Sequence, residues 1–196
     1  MSQKIIIGLG NPGPSYADTR HNAGFMALSL FSAVYRLGSS TTIKGSAIVE
    51  GDILRHRVIL AWPLNFMDHM GRSAKDLLDH FKIESLDNVL VLHDDMFLPL
   101  AQIKIERGGD FYQHDGLLSL KETLGTNFTR IRIGIGSPPE EPDPQETEET
   151  YTSLPFDFDE LEFFRPALKI TTETAFLWAT QGLEIAEAFL HSNNNP

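Results

Sequence analysis

The sequence predicts an α/β fold, a single domain in which a mixed, twisted β-sheet is surrounded by α-helices. Three observations carry this. Ile5-Ile6-Ile7 and residues 88–92 (NVLVL) are short apolar runs of the kind that form buried strands. Residues 129–136 (TRIRIGIG) alternate apolar and polar side chains, as a strand does. Between such runs lie longer stretches with apolar residues at helical spacing. The 196 residues suit one domain, 1–196, with a substantial core.

Taken in order, the first strand runs into a loop that holds Gly8, Gly10, Pro12, Gly13 and Pro14, which forbid a regular element. Phe25, Leu28, Phe31 and Val34 then mark a helix over 23–35, ended by Gly38 and Ser39. Residues 47–54 and 57–62 read as two strands, and 63–71 (PLNFMDHMG) as irregular. Ala74, Leu77, Leu78 and Phe81 line one face of a helix over 72–82. The strand 88–92 ends at His93-Asp94-Asp95, and such ends face the crevice of open α/β sheets. A strand over 101–106, a loop over 108–113 and a helix from His114-Asp115-Gly116 to about residue 124 precede the strand at 129. Residues 137–150, with four prolines and six acids, read as a solvated, mobile loop. Residues 157–190 are helical with a break at Gly182, and 191–196 read as a frayed tail.

Composition narrows the function classes. There is no cysteine, so disulfides and thiolate metal sites are excluded. No apolar run approaches a membrane span and MSQKIII leads straight into glycines, so the expectation is a cytoplasmic protein without a membrane partner. The net charge of −11, from 27 acidic and 16 basic residues, opposes loose binding to polyanions. A nucleic-acid partner therefore needs a local basic patch. Gly8 to Gly13 matches G-x-G-x-x-G, but Pro14 delays the helix that the dinucleotide fingerprint requires. The ribose-binding acid expected about 20 residues later is also missing.

Polar clusters fall at strand ends or before helices: Asn11/Tyr16/His21, Phe66/Met67/Asp68/His69, His93/Asp94/Asp95 and His114/Asp115. A site on the rim of one sheet needs such an arrangement. A His held by a carboxylate is a general base fixed in one tautomer, and His21 with Asp94 is a candidate pair. The amide of Asn11 is a candidate donor to a carbonyl oxygen on which charge develops. Taken singly, His21 also reads as a helix cap, the aspartates as turn caps, and Phe66 and Met67 as core. With no G-x-S-x-G and no cysteine, base-activated water is the remaining route to hydrolysis. A metal hydrolase built from His21, Asp68, Asp94 and Asp115 has suitable ligand types but matches no local signature.

Together, GLGNPGPSYADTRHNAG, PLNFMDHMG, VLHDDMFLP, the G-G…H-D-G-L segment and FTRIRIGIG, in this order, resemble the bacterial-type peptidyl-tRNA hydrolases. The resemblance is close over about residues 4–136 and looser beyond. It implies a monomeric α/β fold that hydrolyses the ester joining a peptide to the tRNA 3′ end, with no metal and no cofactor. Peptidyl-tRNA is the implied partner. His21 resembles the general base, Asp94 the carboxylate that supports it, and Asn11 the amide that senses the blocked α-amino group. Tyr16, Phe66 and Met67 match residues that line the site for the tRNA 3′ end and the peptide, and Arg132 an arginine used on a phosphate. Asp68, His114 and Asp115 fall in the same pocket by this resemblance. The chain departs from the family at Asp68 and Asp115, where amides are usual, and at Glu106, where a lysine is usual. Residues 110–113 replace a glycine-rich run, and no Lys or Arg occurs from Ile133 to Phe164. Two readings follow: a hydrolase with retuned chemistry, or a paralogue that keeps the fold as a binding module without efficient hydrolysis.

Overall fold

The structure is a computed structural model that describes residues 3–111, 114–138 and 147–193. Seven strands form one mixed sheet. At its centre β1 (Gln3–Gly8) runs parallel to both β4 (His56–Pro63) and β5 (Val89–Asp95). β7 (Thr129–Gly134) continues the parallel set beside β5. The outer pairs are antiparallel: β2 (Thr41–Ile43) with β3 (Ser46–Ile53), β3 with β4, and β6 (Ile103–Arg107) with β7. The parallel strands are buried on both faces, which is why they read as unbroken apolar runs.

Side chains alternate across a strand, so each run feeds two cores. Ile5, Ile7, Val89 and Val91 pack with Leu77 of α2 (Met70–Phe81) and Leu120 of α3 (Asp115–Leu124). Ile6, Leu90 and Leu92 pack on the opposite face with Phe31 of α1 (Ala23–Val34). Trp178 of α5 (Phe158–Gln181) and Leu190 of α6 (Leu183–Asn193) complete that layer. The result is the expected mixed sheet between helical layers.

One close approach sets up the rim. A Cβ on Gly24, at the start of α1, would lie 2.3 Å from the Leu92 carbonyl oxygen and 2.6 Å from that of Leu9. Only a glycine lets α1 begin against the ends of β1 and β5. His21 lies three residues before Gly24, and Asp94 two residues beyond Leu92.

Several boundaries differ from those the sequence suggests. β5 continues to Asp95, because its ladder with β7 pairs His93, Asp94 and Asp95 with Arg132, Ile133 and Gly134. The segment after β4 holds a 3-10 turn, Met67–His69, and α2 begins at Met70. β2 lacks a recognisable pattern, being a three-residue edge strand with two exposed threonines. The loop expected over 137–150 is corrected at its end, where α4 (Glu148–Ser153) begins. Thr147 and Thr150 form a capping box, and the buried Tyr151 donates its hydroxyl to the Ile135 carbonyl at 2.9 Å. Residues 139–146 of that loop lie outside the described residues. The tail expected to fray from 191 is helical to Asn193, and only 194–196 lie outside the described residues.

Candidate active site

The C-terminal ends of β1, β4 and β5 open on one rim, since the three strands are parallel. A cleft of about 970 Å³ lies there. Asn11, Tyr16, His21, Phe66, Met67 and Asp68 line it, with Asp94, His114, Asp115 and Arg132. The structure thus brings these side chains together from segments up to 121 residues apart, whereas His69, in the same polar cluster as Asp68, does not line the cleft.

His21 sits in the 3-10 turn Arg20–Asn22 that leads into α1. Its Nδ1 lies 3.0 Å from each carboxylate oxygen of the buried Asp94. That bond fixes the Nδ1–H tautomer, so Nε2 carries the lone pair. A second imidazole shares the same carboxylate, which sequence reasoning had assigned only to the pocket wall. His114 Nε2–H donates to Asp94 Oδ1 at 3.0 Å, while its Nδ1 accepts from the Leu117 amide at 3.4 Å. Asp94 therefore accepts from two rings.

The electrostatics follow from these contacts. Burial alone would raise the Asp94 pKa, but the charges and hydrogen bonds of His21 and His114 outweigh it and hold the carboxyl far below the usual range. For His21 burial works downward, yet the charge and hydrogen bond of Asp94 outweigh it, with a further contribution from Asp115. The His21 pKa is raised above its ordinary value. His93 behaves in the opposite way: full burial, then the neighbouring His114 and Arg130, push it well down, and it stays neutral. Its ring packs edge-on against His114 at 5.2 Å.

Asn11 is held by a residue that sequence reasoning missed. The Asn22 side chain accepts the Asn11 backbone N–H at 2.8 Å and donates to the Asn11 carbonyl at 3.0 Å. Asn11 Oδ1 accepts the Met67 amide at 3.3 Å, which leaves its Nδ2 as the donor for a further acceptor. Arg20 is the second missed anchor. It donates to Glu160 at 2.7 Å, and its guanidinium lies on the rings of Tyr151 and Phe156. The His21 turn is thereby tied to α4 and to the start of α5. No local pattern announces either role, because both partners are distant in sequence or depend on loop shape.

Tyr16 and Phe66 meet edge to face, with ring centroids 6.2 Å apart. Met67 is buried, and a Cβ on Gly116 would lie 2.9 Å from its sulfur. Asp115 opens α3, where the helix dipole favours a negative charge. Asp68 is 66% exposed and lies 3.6 Å from His69. Arg132 is already engaged: its Nε donates to Asp95 at 2.6 Å and its Nη1 to Glu106 at 3.4 Å. Glu106 also binds Arg130, which faces it across the β6–β7 ladder. The expected phosphate-binding arginine therefore has two carboxylates as its resting partners.

His21, Asp94 and His114 each present one atom within 4.8 Å of the others, a set able to hold an ion. An ion there would displace both N–H···O bonds, because a ligating imidazole nitrogen carries no proton. The arrangement as it stands is an imidazole backed by a carboxylate, with an amide donor and an aromatic wall beside it.

The profile of the family described as peptidyl-tRNA hydrolase matches residues 5–196. A peptidyl-tRNA hydrolase of Rhodococcus opacus (strain B4) is 36% identical over 191 residues, which cover 95% of this chain and 97% of the relative. One from Geotalea daltonii is 42% identical over 139 residues, 70% of this chain and 72% of the relative. Among solved structures, peptidyl-tRNA hydrolase from Acinetobacter baumannii matches with a TM-score of 0.87 at 27% identity, over 95% of this chain and 93% of that one.

Proposed function

Because the chain belongs to the peptidyl-tRNA hydrolase family, we propose that it hydrolyses the ester between a peptide and the 3′ end of tRNA with water activated by His21. The observation that carries this reading is the His21–Asp94 pair on the rim of the cleft, with Nδ1–H bound and Nε2 left as the base. Water gives its proton to His21 Nε2 as its oxygen bonds to the ester carbonyl carbon. The C–O bond to the ribose then breaks, and the proton passes from His21 to the ribose oxygen. Asp94 stabilises the imidazolium that forms in between. The Asn11 amide is oriented to hydrogen-bond the acyl group on the blocked α-amino nitrogen. Tyr16, Phe66 and Met67 form the wall for the tRNA 3′ end and the peptide. His114 holds Asp94, while Asp68 and Asp115 set the local charge.

A module without hydrolysis is not favoured, because it has no need of a buried carboxylate clamped between two imidazoles. Among the described residues no helix is long and apolar enough to cross a membrane. The same reading makes the protein a cytoplasmic monomer that needs no metal, so its rate is expected to be unchanged by a chelator. The direct test is to offer the purified protein N-acetyl-aminoacyl-tRNA and unblocked aminoacyl-tRNA side by side. Release of the acyl group from the blocked substrate alone is expected. No release from either sinks the reading, and equal release from both removes the assignment of Asn11.

A further inference from the structure

The proposed reaction leaves one exposed ring of the cleft, that of Phe97, without a part. Phe97 stands on its rim with 58% of its surface exposed, and Phe66 with 55%. Both rings sit on held backbone or against a held neighbour. Phe66 lies edge-on to Tyr16. The backbone N–H of Phe97 donates to Asp95 Oδ1 at 2.9 Å, while Asp95 Oδ2 accepts from Arg132 Nε at 2.6 Å. One buried carboxylate therefore fixes the turn that presents the Phe97 ring and also engages the Arg132 guanidinium. Glu106 engages both Arg130 and Arg132. The two arginines that line the cleft are thus already met by two carboxylates, so they have little attraction left for phosphate. What the cleft does offer is exposed aromatic surface, and every nucleobase has a π face that such surface can receive.

We propose that Phe97 is a further stacking platform for the unpaired bases at the 3′ end of the RNA, and that stacking replaces phosphate contacts as the main hold on that end. The proposal rests on the hydrolase reading, because it takes the RNA 3′ end to reach His21 in this same cleft. It makes Phe97 a substrate-binding residue that no pattern in the sequence singles out. It also gives an acidic protein a grip on RNA that salt does not weaken.

The test uses the full chain and an acceptor-stem hairpin RNA with 2-aminopurine placed in turn at each unpaired 3′ position. Binding should quench the fluorescence at one or more positions in the parent protein. Quenching should be lost in Phe97→Ala and kept in Phe97→Tyr. In steady-state hydrolysis of N-acetyl-aminoacyl-tRNA, Phe97→Ala should raise KM by about 5- to 150-fold, with kcat changed far less. That rise should be similar at low and high salt. Equal quenching in parent and Phe97→Ala overturns the proposal, as does an unchanged KM. A KM effect that follows the peptide side chain, without quenching, assigns the ring to the peptide and equally overturns it. If the parent hydrolyses nothing, the hydrolase reading fails, while the quenching assay still decides whether Phe97 stacks on RNA.

Discussion

At the scale of single residues, the site's behaviour turns on the charge around His21. Its pKa is raised, and only neutral imidazole can take a proton from water. Activity should therefore fall as pH drops through that raised value. Asp115 is one of the charges that raise it. Asp115→Asn should lower the apparent pKa of the acidic limb of kcat/KM and extend activity to lower pH. Asp68→Asn should shift it less, because the Asp68 side chain is 66% exposed and its field is screened by water and salt. Profiles of kcat/KM from acid to alkaline pH for the two single variants and the double variant would check this. Superimposable curves for Asp115→Asn and parent would show that the two groups do not sense each other. That His21, Asp94 and Asn11 share one cleft was legible in the sequence, because each stands at a strand end or before a helix. The second imidazole on Asp94 and the clamp by Asn22 were not legible, since they depend on where a loop and a helix start come to rest.

At the scale of elements, the site depends on how closely α1 approaches the ends of β1 and β5. Gly24→Ala would place a methyl group 2.3 Å from the Leu92 carbonyl oxygen. Overpacking of this kind typically costs about 1–3 kcal/mol, and about 2–4 °C of Tm per kcal/mol is usual for a chain of this size. Thermal unfolding should show that loss. Hydrolysis should fall further than the folded fraction does, because the His21 turn would be pushed from Asp94. A variant with parent Tm and parent rate would show that the contact does not set the site. Tyr151→Phe tests the other side of the same turn. It removes the bond to the Ile135 carbonyl and should cost about 1 kcal/mol in denaturant unfolding, whereas an unchanged midpoint would leave that bond without net worth. The strands and long helices were legible because their periodicity is strong. β2 was hidden by its length and exposure, and α4 by the prolines and acids that precede it. The engagement of Arg132 was hidden because it follows from strand register: Glu106 faces Arg130, and Asp95 reaches Arg132 from the neighbouring strand.

At the scale of the whole molecule, a net charge of −11 has to coexist with a polyanionic substrate. Glu106 sits where it neutralises the two arginines of the cleft. The affinity for tRNA should therefore show a shallow dependence on salt, since the slope scales with the number of phosphates neutralised. Glu106→Lys should tighten binding and steepen the slope, measured as log K against log salt concentration. A steep slope in the parent would place the basic surface elsewhere on the molecule.

In the proposed reaction everything depends on His21, which, backed by Asp94, activates the water that cleaves the ester. The measurement that reaches it most directly is single-turnover hydrolysis of N-acetyl-aminoacyl-tRNA by parent and His21→Ala, with excess protein so that binding is complete. Circular dichroism spectra of both proteins serve to confirm an unchanged fold. A general base is worth about 10²- to 10⁴-fold, so the variant should lose that much rate while binding tRNA as the parent does. A variant that retains the parent rate to within roughly threefold, far less than a general base contributes, would contradict the account.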